Sequence, residues 1–264
     1  MNTPPEVPSS LFRGSSVASE QSRSRVRDCI ELVVGYGLIV SVVWTPRPMQ
    51  RWLYLASIAW FLLVFLISFP GWRAIGCSIV GFWRSLWVVG VAVVIAFAAA
   101  MLARTLHTLH HPGPPIQWVR TFGGYTIWAL TQQLLLQGYF LIRLLRVMPS
   151  KAWAAATAGT VFALAHLPNP ILTPITLLWG LVACFIFLKS QNIFPLAIAH
   201  AIFGISVAIT VPAPIHHNMR VGLGYLTYTA PRRVHLSQID QKVSTVAWVT
   251  ADAPTLRWAR HALP

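Results

Sequence analysis

Apolar residues in this chain come in long unbroken runs, and polar positions fall between the runs rather than alternating within them. The runs cover about residues 29–44, 55–69, 85–103, 122–147, 152–167, 171–188 and 193–211. Most approach the roughly 20 residues that a helix needs to cross the hydrocarbon of a bilayer. Their stops are helix breakers: Pro70 and Gly71 after the second, Pro168 and Pro170 after the fifth, Pro212 and Pro214 after the seventh. A membrane-spanning strand would alternate apolar and polar positions, and these runs do not. Hydrocarbon offers no partner to a free backbone N–H or C=O, so helices are the form the runs predict. The expected fold is all-α, a polytopic transmembrane helix bundle of about seven spans, or eight if the seventh run is two short helices.

Either side of this membrane domain, residues 28–212, the chain is polar. Residues 1–27 are rich in Ser and Pro and carry Arg13, Arg23, Arg25 and Arg27. They lack the short apolar core and small-residue cleavage site of a signal peptide, and a disordered basic tail is expected. Residues 213–264 form a second polar tail, in which 243–249 suggest a short strand and 256–263 an amphipathic helix.

Charge sharpens the picture. Hydrophobic residues make up 56% of the chain and charged ones only 10%, against about a quarter charged in a soluble domain. The acids are Glu6, Glu20, Asp28, Glu31, Asp240 and Asp252, so no carboxylate occurs between Glu31 and Asp240. A net charge of +14 could suggest nucleic acid. However, Arg47, Arg51, Arg73, Arg84, Arg104, Arg120, Arg143 and Arg146 stand singly near the ends of apolar runs, as interfacial anchors and lipid-headgroup contacts do. Trp44, Trp52, Trp72, Trp83 and Trp118 lie at similar places. The expected partners are therefore membrane lipids and not nucleic acid. With the N-terminal tail inside, Arg73, Arg84, Arg143, Arg146, Lys151 and Lys189 are cytoplasmic, while Arg47, Arg51, Arg104 and Arg120 lie outside. Cys29, Cys77 and Cys184 show neither pairing nor metal spacing.

Three of the runs hold polar side chains at membrane depth, where they are costly and turn toward a bundle interior or a wet cavity. The fourth carries Gln132, Gln133 and Gln137; by α-helical spacing Gln133 and Gln137 share a face, with Gln132 about 100° away. The fifth ends in Phe162-Ala163-Leu164-Ala165-His166, and the seventh contains His200 and Gly204. Each has a bland role open to it. Gln can bond between helices for about 1 kcal/mol, His166 can complement the dipole of its helix's last turn, and His200 can bond a neighbouring carbonyl. Five together on three helices favour a site.

The order and spacing of these residues resemble the CPBP family, the CAAX proteases and bacteriocin-processing enzymes also described as type II CAAX prenyl endopeptidases. In that family a Glu-Glu pair is followed three residues later by Arg, where this chain has Gln132, Gln133 and Gln137. A Phe with His four residues on is matched by Phe162 and His166, and a Pro five residues before a second His by Pro195 and His200. The family's Asn four residues after that His is Gly204 here. The resemblance covers about residues 120–210 and implies an intramembrane endopeptidase architecture with Gln132, Gln133, Gln137, His166 and His200 at the site positions. It also implies that the family's Glu activates water, that its Arg organises the site, and that its His and Asn serve water activation and the oxyanion. An amide takes no proton near neutral pH, so the general base, typically a factor of about 10² to 10⁴, is missing. The replacements are mutually consistent, because removing the acids and the Arg together leaves no unpaired charge in the membrane, and three Gln can bond one another.

The expected function is a membrane pocket for a peptide or a prenylated tail, weakly active or non-cleaving, in a bacterial inner membrane. A small transporter or channel and a membrane-complex assembly factor are the alternatives. No cofactor and no metal are expected, since two His with Gln make a poor zinc set. His107, His110 and His111, like His216 and His217, lack acidic partners and are expected to be solvated.

Overall fold

The structure, a computed structural model, describes residues 10–110 and 115–229. Among them there is no strand. The helices are α1 (Ser10–Trp44), α2 (Met49–Ile67), α3 (Phe82–Ser85), α4 (Trp87–Thr105), α5 (Pro115–Gln133), α6 (Ile142–Val147), α7 (Lys151–Leu164), α8 (Leu172–Ser190), α9 (Phe194–Thr210), α10 (Ala213–His216) and α11 (Leu223–Leu226). A π-helical segment, Leu134–Leu141, joins α5 to α6 without a break. Three helical stretches, Met49–Ile67, Phe82–Thr105 and Leu172–Ser190, are long and apolar enough to cross a membrane by length and composition, and α9 is a shorter apolar helix. The seventh run is one helix rather than two. α1 starts at Ser10, inside the segment read as a tail. Residues 1–9, His111, and the strand and helix expected at 243–249 and 256–263 lie outside the described residues.

Large apolar side chains point outward along these helices, among them Leu66, Phe97 and Leu178. A water-soluble bundle would bury such residues, so the outward surface is one that lipid covers. Inside, the residues are small. α7 presents Ala155 and Gly159 at a spacing of four, and α8 answers with Gly180 and Cys184. A Cβ on Gly180 would stand 3.1 Å from the Cα of Gly159, and one on Gly159 would stand 2.9 Å from the Leu181 backbone nitrogen. Glycine at both positions lets the backbones approach as small-residue interfaces do in membranes.

At one end of the bundle the structure builds a polar clamp that the chain's pattern conceals. Arg143, 4% exposed, donates from Nε to the Glu31 carboxylate at 2.6 Å, and from its guanidinium to the Tyr139 carbonyl at 3.1 Å. The Tyr139 hydroxyl donates to the Glu31 carbonyl (2.5 Å) and accepts from the Trp60 indole (3.1 Å), and Ser68 donates to Glu31 (3.2 Å). One turn away, Arg146 pairs with the fully buried Asp28 at 2.8 Å. The expectation that Arg143 is a lipid-facing anchor is thus corrected, while Arg146 pairs with Asp28 and keeps a partly exposed side chain. The burial of Arg143 would leave it unsolvated, and the carboxylates of α1 supply the compensating charge.

A second tie lies at the opposite end. Asn169, fully buried between α7 and α8, donates to the carbonyls of His216 (2.8 Å) and Arg220 (2.9 Å) and accepts from the amides of Ile171 and Leu172. His216 is buried rather than solvated: its Nε2–H donates to the Val211 carbonyl (3.0 Å) and its Nδ1 accepts from the Met219 amide (2.8 Å). Both ring nitrogens are used by the neutral form, and burial holds the imidazole below its ordinary pKa. Protonating Nδ1 would turn that acceptor into a donor facing Met219 N–H.

Two outcomes follow from these ties. Glu31→Ala strands a buried guanidinium and should lower unfolding stability in detergent by about 3–5 kcal/mol, while Glu31→Ala with Arg143→Leu should recover most of it. The depressed pKa of His216 means that its contribution is complete above the free imidazole's value of about 6.5 and is lost as pH falls from there through the lowered folded value. Thermal unfolding at pH 7.5 and 5.5 should show that loss, reduced in His216→Gln.

Candidate site between the π-helical segment, α7 and α9

α9 begins where Asn192 accepts from the Phe194 amide at 3.0 Å, with Pro195 in the first turn. The Asn192 side chain also donates to the carbonyls of Ser78 and Val80, which pins this helix start to the segment before α3. One and a half turns later, α9 carries His200 inward, 5% exposed. There the Nε2 of Gln133, fully buried on the last turn of α5, meets His200 Nδ1 at 2.9 Å. α7 contributes Phe162, whose ring centroid is 4.9 Å from the His166 ring and 5.8 Å from the His200 ring. Trp179 of α8 closes the far side, 6.2 Å from His200 and 5.1 Å from Phe203. Gln133, His166 and His200 are therefore brought to one place, arranged around Phe162.

Two expectations about these residues change. α7 ends at Leu164, so His166 sits in the turn beyond it rather than in the last helical turn. Its Nδ1 is 2.7 Å from the Phe162 carbonyl, and a carbonyl only accepts, so Nδ1 carries the proton. The three Gln also do not bond one another. Beyond Gln133 the chain is π-helical, with the Ile142 amide donating to the Gln137 carbonyl five residues back. Gln137 is fully buried with neither amide atom bonded, Gln133 keeps its Oε1 free, and the buried Trp179 indole N–H is free as well. Gln132 is only partly buried.

Tyr125 is the residue that the motif reading missed. Its hydroxyl lies against Gly204, one turn beyond His200, so closely that any Cβ on Gly204 would overlap it. Glycine is what permits the approach, and the phenol fills the space in which a side chain at position 204 would otherwise sit. The available signal was Tyr125's place two turns before Gln132 on the same helix face, a polar-tipped ring in an apolar run.

No charge reaches this group among the described residues. Asp28 and Glu31 are held by Arg146 and Arg143, and Arg143 stands ten residues past Gln133, on the order of 15 Å along the helix. The polarity of the two imidazoles is consequently set by neutral partners. Because the Gln133 amide nitrogen donates, His200 Nδ1 accepts and its Nε2 bears the proton. His166 has the reverse arrangement, with a free lone pair on Nε2. One ring therefore offers a donor and the other an acceptor, beside amide groups with unused hydrogen-bonding capacity.

The Tyr125–Gly204 fit is directly testable. Gly204→Asn should overpack and cost about 1–3 kcal/mol. In the double variant with Tyr125→Ala the two effects should fall short of their sum by about 1 kcal/mol or more, measured as a thermal or denaturant cycle in detergent.

Residues 114–206, about a third of the chain, match the type II CAAX prenyl endopeptidase Rce1-like family. No curated protein matches the chain, and no solved structure does. The matched segment contains Tyr125, the Gln cluster, Phe162, His166 and His200, and over it this integral membrane protein is similar to the CAAX-protease-like family.

Proposed function

We propose that this protein holds a peptide segment, or the tail of a prenylated protein, in the pocket around Gln133, His166 and His200 and does not cut it. The hydrogen bond from Gln133 to His200 Nδ1 carries the reading. A carboxylate at position 133 would accept from Nδ1–H, leaving a basic lone pair on Nε2 and a countercharge for the imidazolium formed during proton transfer. The amide does neither. It fixes the tautomer in which Nε2 is already protonated, and in serine proteases the equivalent change of carboxylate to amide behind a catalytic His lowers turnover by about 10⁴. His166 retains a lone pair on Nε2 but is oriented by a neutral carbonyl, so an imidazolium there would also lack a counterion.

What remains suits binding. Each buried polar group left unpaired costs about 1–3 kcal/mol, and Gln133 Oε1, both amide atoms of Gln137 and the Trp179 indole N–H are in that condition. An extended peptide presents alternating C=O and N–H groups that can satisfy an acceptor, a donor and a ring N–H in turn. Phe162 and Trp179 supply apolar walls for its side chains or for a prenyl group. The family resemblance further supports a bacterial inner membrane as the location.

In liposomes, the protein should retain a prenylated C-terminal peptide and leave it intact, with retention weakened about tenfold in His200→Ala by loss of one donor. Cleavage that disappears in His166→Ala would overturn the non-cleaving reading.

A further inference from the structure

Where α8 ends and α3 and α4 begin, a cavity of about 330 Å³ opens between the helices, lined by Arg84, Trp87, Phe185, Ile186, Lys189 and Ser190. Its floor is rigid. A Cβ on Gly81 would overlap the Ser190 carbonyl, the Ile193 amide donates to the Gly76 carbonyl at 3.1 Å, and Asn192 ties down Ser78 and Val80. Two observations there remain unused by the site around His200. Arg84 and Lys189 bring two positive charges to one cavity, and among the described residues no carboxylate lies within ion-pair distance of either. The hydroxyl of Ser190, a residue 5% exposed, is buried without a hydrogen-bond partner.

Like charges gathered at a bilayer surface without a counterion repel each other, and an anion held between them removes the penalty. A phosphate provides that charge together with oxygens that can accept from guanidinium, ammonium and hydroxyl at once. The remaining walls, Trp87, Phe185 and Ile186, are apolar, and Trp87 and Phe185 are 58% and 45% exposed on the face where lipid lies. Such walls suit acyl chains and a glycerol backbone better than a free inorganic ion. We propose that this cavity binds the phosphate of an anionic phospholipid through Arg84, Lys189 and the Ser190 hydroxyl, and that the bound lipid braces the seam between α4 and α8. The inference is independent of what the pocket around His200 holds.

The test uses the full chain purified in a neutral detergent, with thermal unfolding read against added short-chain phosphatidylglycerol, phosphatidylcholine of equal chain length, and inorganic phosphate. Phosphatidylglycerol should raise the midpoint. Phosphatidylcholine should not, and inorganic phosphate should act only at concentrations about tenfold or more higher. Arg84→Ala with Lys189→Ala should move the half-maximal phosphatidylglycerol concentration up by about tenfold or more, whereas Arg47→Ala with Arg51→Ala, at the other end, should leave it unchanged. Should the Arg84/Lys189 variant not fold, native mass spectrometry of the unmodified protein still decides, by preferential retention of phosphatidylglycerol over phosphatidylcholine. Equal effects of the two lipids, an unchanged response in the Arg84/Lys189 variant, or inorganic phosphate acting as well as the lipid would overturn the proposal.

Discussion

A charge inside a bilayer must be paired or removed, and both answers are present in this protein. At one end of the bundle Glu31 and Asp28 meet Arg143 and Arg146, binding α1 to the helix that carries the site. Deeper along that same helix the answer is removal: glutamine at three positions and no carboxylate anywhere from α2 to α9. The clamp fixes where the α5–α6 helix stands, and the neutral stretch decides what its buried face can do. The acids of α1 are committed to these arginines.

Neutral partners set the chemistry of the two imidazoles. His166 and His200 flank Phe162, and each takes its tautomer from an amide or a carbonyl. Groups so arranged offer hydrogen bonds from neutral partners and no charge to support a proton transfer. The Tyr125–Gly204 contact belongs to the same pattern, because it fills with a phenol the space beside His200 that glycine opens.

Much of this was legible in the chain because the bilayer imposes simple rules. Run length and the Pro stops gave α8 and α9 to within a few residues, whereas α1 begins at Ser10, well before its apolar run. Gln133, His166 and His200 stood out in the chain as polar groups at membrane depth, and the structure brings them together around Phe162. Pairings across long separations were not legible: nothing local joins Glu31 to Arg143, and an Arg near a span end reads as an anchor whether or not an acid awaits it. The π-helical turn was also hidden, since Leu134–Leu141 is as apolar as an ordinary helix. Tyr125 escaped notice because its partner is the absence of a side chain at Gly204.

The central claim is that Gln133 holds His200 neutral with its proton on Nε2. Nitrogen-15 NMR of histidine-labelled protein in bilayers at neutral pH reads this directly. The account predicts an unprotonated Nδ1 and a protonated Nε2 at His200, with the opposite tautomer at His166. A protonated Nδ1 at His200, or an imidazolium, would contradict it.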